Sequence, residues 1–281
     1  MNTTIREMLF LLWRSKAAFF GLFVILLFYI VGIFAPVFAT HDPIEQNIDQ
    51  RKLPPFSEGY ILGTDELGRD LYSRIVYGAR VSMLIGVVSV SIALVIGTTI
   101  GMISGYLGGA VDTISMRVID IMLSFPYVLL TIVIVSLLGS SLVNAMIAIG
   151  ISHIPRYARV CRAAVLSEKE QDYVMAEQSL GAGSFHLMFK SILPNVLAPV
   201  MVQATLGFGD AILSAAALSF LGLGAQPPTP EWGLMIASSR DFVTSAWWIV
   251  TFPGLATLFA VVGFNVFGDG MRDILDVRLH D

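Results

Sequence analysis

The chain has 281 residues, 56% hydrophobic and 14% charged, with a formal net charge of −4. Soluble domains carry about 25% charged residues, so an ordinary soluble enzyme is excluded, as is a disordered chain, which would be polar and charge-rich. A single cysteine, Cys161, excludes a disulfide scaffold, and the acidic balance argues against nucleic acid as a partner.

An integral membrane protein remains, and its elements can be taken in chain order. A crossing helix needs about 20 apolar residues. The uncharged runs predict six, near 17–39, 81–104, 118–138, 141–158, 197–221 and 247–268. Gly139-Ser140-Ser141 reads as the turn that divides the long run 121–155 into two crossings. The runs are continuously apolar, without the alternation of a membrane barrel. The first run exceeds a secretory h-region of about 7–15 residues and reads as an uncleaved anchor. With a cytoplasmic N-terminus, Arg6, Arg14, Lys16, Arg156, Arg159, Arg162, Lys169 and Lys190 all fall inside. The expectation is an all-α membrane protein with six spans and both termini cytoplasmic. It divides into an anchor with an outer segment, 1–80, and a five-helix core, 81–281, with a cytoplasmic loop at 159–196.

In the outer segment Leu67, Leu71, Ile75 and Ala79 recur every four residues, with Arg69, Asp70, Ser73 and Arg74 off that stripe. This predicts an amphipathic helix, either lying on the membrane surface or leading into the second span. Gly97, Gly101, Gly105 and Gly109 also recur every four. Small residues so spaced let helix backbones approach closely, against a neighbour within the chain or outside it. Asp112, Arg117 and Asp120 cluster near the inner end of the third span, where Arg117 and Asp120 are spaced to pair. Pro126, Pro155 and Pro253 are candidate kinks, and His153 reads as a packed or hydrogen-bonded side chain.

The inner segment predicts two short helices. Asp172 caps the first, Tyr173 to Leu180 form it, and Gly181 supplies a left-handed end. Ser184 caps the second and Pro194 stops it. A two-turn helix is unstable alone in water, so it is either an interfacial connector or packed on a partner. In the fifth span Gln203, Gly207, Asp210 and Ser214 share one helical face. A carboxylate at membrane depth is costly, so this face is either a polar pathway or a buried interhelical bond.

Catalytic machinery is not visible. There is no phosphate-binding loop of the G-x-x-x-x-G-K-[ST] form, no G-x-S-x-G and no H-E-x-x-H, and four scattered histidines make no metal set.

The inner segment, from Asp172-Tyr173-Val174-Met175-Ala176-Glu177 through Leu180-Gly181 to Ile192-Leu193-Pro194-Asn195, resembles the cytoplasmic loop of permease subunits of binding-protein-dependent ABC importers. That loop has the form E-A-A, three residues, G, nine residues, I-x-L-P. Ala176, Gly181, Leu193 and Pro194 keep its spacing; Met175, Glu177 and Ser191 depart from it. Leu62 to Asp70 with Ser73-Arg74 and Gly78-Ala79-Arg80, Gly105 to Gly109, Phe220 to Gly224 and Phe267 to Asp273 resemble the C-type permease of dipeptide, oligopeptide and nickel importers. Gly224 to Gly233 resembles its dipeptide branch most.

The resemblance implies the type I importer permease fold in a bacterial cytoplasmic membrane. It implies a non-catalytic subunit whose helix at 173–180 docks on a separate ATPase subunit. It also implies a homologous B-type permease, two ATPase subunits holding ATP and Mg, an extracytoplasmic binding protein, and no cofactor on this chain. Di- or oligopeptides are the implied cargo, with nickel, haem or antimicrobial peptides as alternatives. A secondary transporter is a more distant reading, since it calls for inverted repeats and coupling-ion residues.

Overall fold

A computed structural model describes residues 15–278, with side chains as far as Ile274. Arg6, Arg14 and His280 lie outside these bounds. Every regular element among the described residues is helical. Helix α1, Lys16–Ile33, is apolar all round and buries one stripe, Ala18, Gly21, Ile25, Phe28 and Gly32. Lipid offers side chains no hydrophobic driving force, so such helices associate by close packing. A Cβ on Gly21 would lie 2.5 Å from the Phe267 nitrogen on the last helix. A short helix α2, Ala35–Phe38, follows.

Helix α3, Leu71–Leu107, runs 37 residues without a break. The amphipathic outer helix does not exist separately: its positions from Leu71 on are the first turns of α3, and Leu67 precedes it. Its supposed polar face is not solvated either. Arg69, Asp70, Ser73 and Arg74 are buried, because the outer segment folds back over them.

Helices α4, Gly109–Leu123, and α5, Tyr127–Leu138, meet at 91°. Pro126 cannot donate a backbone hydrogen bond and disfavours helix at Phe125, so the third span is broken there. Gly139, at φ +94°, forms the expected turn, held by Asn144 donating to the Leu138 and Gly139 carbonyls. Ser141 then caps helix α6, Leu142–Glu168. This helix runs through Pro155 and continues ten residues past the expected end near 158, through Arg159 and Arg162. Arginines paired with carboxylates do not stop a helix.

Helix α7, Asp172–Ser179, starts from Gln171, with Asp172 its first helical residue rather than its cap. Helix α8, Ser184–Phe220, likewise starts from Gly183, and Ser184 does not cap it. Pro194 does not end α8. The helix widens to a π-turn over Leu187–Ile192, where the Leu193 N–H donates to the Met188 carbonyl, and so accommodates a residue without a donor. Helix α9, Trp232–Ser239, was not expected from the sequence, and α10, Trp247–Arg278, closes the bundle.

Four helices, α1, α3, α8 and α10, are long and apolar enough to cross a membrane, and the bent α4–α5 pair makes a fifth if it counts as one span. The expected six differ by α6, whose length suffices but whose polar residues, His153, Arg156 and Arg159 among them, lower its apolar content.

The largest core cluster gathers around α3, α6 and α8, with Ile85, Ala93, Ile149, Tyr157 and Val200 at its centre. Gly97, Gly101 and Gly105 make the α3–α6 contact. A Cβ on Gly97 would lie 2.5 Å from Tyr157 Cβ, and one on Gly101 2.5 Å from the Ala158 carbonyl. On Gly105 it would lie 3.0 Å from Val165. The neighbour of this stripe is therefore internal. Gly109 stands apart from it: with Gly108 it forms the positive-φ link to α4, and nothing lies within 4 Å of its Cβ position.

Candidate functional site

Three polar regions line the molecule from one end to the other. The first surrounds α7. Val174 is its one buried side chain, while Tyr173, Met175, Ala176 and Leu180 are exposed. Leu180 is 89% exposed and Phe185, just beyond, 73%. Gly181 sits at φ +87°, its N–H donating to the Gln178 carbonyl while the Ala182 N–H donates to the Glu177 carbonyl. This is the two-bond glycine end of a helix. No heavy atom lies within 4 Å of a Cβ built there, so the demand for glycine is conformational.

Glu168, which the sequence reading left out, joins Tyr173 and Asn195 in fixing α7 in place. The Tyr173 hydroxyl donates to Glu168 at the end of α6, and Asn195 on α8 donates both to Glu168 at 2.7 Å and to the Tyr173 hydroxyl at 2.9 Å. Burial and the Glu168 carboxylate hold the Tyr173 phenol above its ordinary value, so it remains a donor. Ser191 and Glu177, two of the three departures from the loop pattern, bond each other, Ser191 donating, and His186 lies 3.8 Å from the same carboxylate. These two departures therefore complement each other. Leu193 and Pro194 continue directly into α8.

The second region is a ladder of arginines on α6. Arg162 takes Asp112 of α4 with two bonds of 2.6 Å, and Ser104 donates to the same carboxylate. Arg159 takes Asp120 at 2.6 Å. The expected Arg117–Asp120 pair does not form, because α6 brings its own guanidinium to Asp120. Arg156 takes Asp210 of α8 at 2.6 Å. Of the expected polar face on α8, Gly207 packs beneath the Tyr157 hydroxyl, which lies 2.2 Å from a Cβ built there. Ser214 is buried and donates to the Asp210 carbonyl, and Gln203 is half-buried. His153 is packed on Tyr127 at 5.5 Å, its Nδ1 2.8 Å from the Ile149 carbonyl.

The third region is a cap made by residues 40–70 with α9. Arg69 donates to Asp65 at 2.6 Å and to Glu66 at 3.1 Å, and Arg74 lies 3.4 Å from Asp65. Arg74 donates to the carbonyls of Pro43 and Pro228, tying the two ends of the cap together. Trp232 donates to the Ile75 carbonyl and Trp248 to that of Thr64. Glu231 caps α9 by accepting from Gly233 and Leu234; burial pushes its carboxyl up while these two donors pull it down. Gly68, at φ +75°, lets its backbone meet the Asn47 carbonyl, which a Cβ would approach to 1.7 Å.

This three-level helical body can be set beside known proteins. The family model for the inner membrane component of binding-protein-dependent transport systems matches residues 97–281, and that for the N-terminal transmembrane domain of oligopeptide transport permease C matches residues 3–55. The dipeptide transport system permease protein DppC of Haemophilus influenzae is 49% identical, over 99% of this chain and 96% of its own. The di/tripeptide transport system permease protein DppC of Pseudomonas aeruginosa is 50% identical, over 95% of this chain and 91% of its own. Among solved structures, a chain of the inward-facing MetNI methionine ABC transporter matches with a TM-score of 0.57 at 18% identity, covering 70% of this chain and 93% of that one, a likeness of fold. On these matches the chain belongs to the family of inner membrane components of binding-protein-dependent transport systems.

Proposed function

We propose that the chain is a permease subunit of an ATP-driven importer of di- or oligopeptides in a bacterial cytoplasmic membrane, and that α7 couples it to a separate ATPase subunit. The observation that carries this reading is the state of α7. A two-turn helix is too short to persist alone, yet it is capped by Gly181, anchored by Tyr173, Glu168 and Asn195, and leaves Met175, Leu180 and Phe185 in the open. Such an element is built to present an apolar tip to another protein. The relatives named above, as dipeptide and di/tripeptide permeases, supply the cargo class.

In this reading α6 is the sixth span, stabilised at membrane depth by the bundle around it, and both termini are cytoplasmic. A homologous permease supplies the other half of the pathway, two ATPase subunits hold ATP and Mg, and a binding protein delivers peptide to the outer cap. The chain itself holds no nucleotide and performs no catalysis. ATP-driven closure of the ATPases moves α7, and α7 moves α6 and α8 through Glu168 and Asn195, so that the pathway alternates between faces. On the α8 side of that pathway Gln203 and Asp210 face the open space, with Gly207 and Ser214 packed behind them.

Co-expression with the genes beside it, followed by affinity purification through this chain, tests the assembly. The expected result is recovery of a second permease and ATPase subunits, with peptide uptake in proteoliposomes that requires ATP and a binding protein. Uptake driven by an ion gradient without ATP would contradict the reading.

A further inference from the structure

Arg156 and Asp210 join α6 to α8 within the bundle through a single hydrogen bond, as Arg159 and Asp120 join α6 to α4. Phe220 ends α8 ten residues beyond Asp210, roughly 15 Å at 1.5 Å per residue. That is about half of a hydrocarbon core of about 30 Å. Arg156 lies fourteen residues from Leu142, where α6 begins, or roughly 21 Å on the same measure. By these lengths Asp210 lies near the middle of such a core and Arg156, which the charge count placed inside, about two-thirds of the way along the crossing of α6. The side chains of the pair are nonetheless 52% and 37% exposed. A charged surface of this kind cannot face lipid at modest cost, so its open side faces water or protein.

Saturation separates these two possibilities. The Arg162–Asp112 pair uses two guanidinium nitrogens and both carboxylate oxygens, and Ser104 adds a third bond. That is how a structural clip between helices is completed. The Arg156–Asp210 pair has one bond, from Nη1 to Oδ2. Among the described residues no other hydrogen bond is made by the remaining guanidinium donors or by Asp210 Oδ1. Capacity for one acceptor group and one donor group is left over at the same place.

A zwitterion fits that remainder. A single cation or anion entering here would leave one protein charge uncompensated in a low-dielectric surrounding. A molecule carrying an ammonium and a carboxylate exchanges one ion pair for two and adds no net charge. We propose that Arg156 and Asp210 are a substrate-reading pair: the pair opens, Arg156 takes the carboxylate terminus of a short free peptide and Asp210 its ammonium terminus. This rests on the importer reading and assigns the termini of the cargo, rather than its side chains, as what this chain reads.

The test uses the chain's single cysteine, Cys161, which is fully buried. Leu213→Cys, one turn from Asp210 on α8 and 52% exposed in the wild type, places one reporter thiol beside the pair in the purified complex in membrane discs. Ala217→Cys serves if that variant fails to assemble. A negatively charged methanethiosulfonate is the label. Ala-Ala and N-acetyl-Ala-Ala-amide are added directly at millimolar concentration, so that the binding protein's own selectivity does not enter. The expected result is labelling at least tenfold faster than in the parent, slowed severalfold by Ala-Ala and unaffected by the capped peptide. Adding Arg156→Gln or Asp210→Asn should abolish the protection.

A thiol that does not label, protection that is equal for both peptides, or protection that survives both substitutions would overturn the proposal. Binding-protein-stimulated ATP hydrolysis is read on the same preparation. Its presence without protection strikes the pair alone, whereas its absence strikes the importer reading and the pair with it.

Discussion

Single residues carry two kinds of constraint, and the difference decides what their substitution does. Gly97 and Gly101 are constrained by space, since a methyl group there would meet Tyr157 and the Ala158 carbonyl at 2.5 Å. Gly97→Ala and Gly101→Ala force α3 away from α6 and are each expected to cost about 1–3 kcal/mol, the range for overpacking. The check is a lowered unfolding temperature of the purified complex. Gly181 is constrained by its backbone angle alone, with open space around it. Gly181→Ala is expected to cost about 1–2 kcal/mol of local order, leaving global unfolding unchanged and weakening ATPase capture. The glycine repeat was legible from spacing, but spacing could not say that Gly109 leaves the stripe, because that depends on where α3 stops. Nor could it pair Asp120 with Arg159 rather than Arg117, because the partner comes from another helix.

At the scale of elements, what the sequence conceals is the meeting of distant segments. The cap of residues 40–70 shows this best. Its periodicity of four fits a surface helix or the lead into the second span; the residues from Leu71 on are that lead, and Arg69, Asp70 and Arg74 are buried among residues 40–66 and the segment around Pro228. Arg69→Met leaves Asp65 with weakened compensation in a buried site, and breaking a buried pair costs about 3–5 kcal/mol. The expected outcome is low recovery of folded protein from membranes, measured by size-exclusion chromatography. Asp65→Asn with Arg69→Gln is expected to be milder, because the closest pair is removed whole and Arg74 keeps its bonds to the Pro43 and Pro228 carbonyls.

The network around α7 belongs at the same scale. Tyr173→Phe removes the donor to Glu168 while keeping the ring. It is expected to leave ATPase subunits bound but to lower peptide uptake per ATP hydrolysed severalfold, read by measuring both rates on one preparation. Asp172, Ser184 and Pro194 were each legible as punctuation and each misplaced. Cap geometry depends on backbone angles one residue away, and the π-turn over Leu187–Ile192 lets α8 continue through the proline.

For the whole molecule, the fold follows from apolar runs closing around a polar axis. Helices α3, α6 and α8 hold the core, α1 and α10 pack beside it, and the paired arginines of α6 run along it toward the α7 end. The apolar runs made the helical class readable, and continuous hydropathy placed most of the helices. The length of α6 was hidden because its arginines read as the start of a loop, and their partners lie on helices distant in sequence. On the proposed reading, α7 transmits ATP hydrolysis in partner subunits to this chain.

The most direct measurement is ATP hydrolysis by the reconstituted complex with and without peptide-loaded binding protein, for the wild type and for Leu180→Glu. Leu180 is 89% exposed and makes no core contact whose loss would unfold the chain. The expected result is severalfold stimulation in the wild type, abolished in Leu180→Glu while the second permease still copurifies. Equal stimulation of both proteins would contradict the claim.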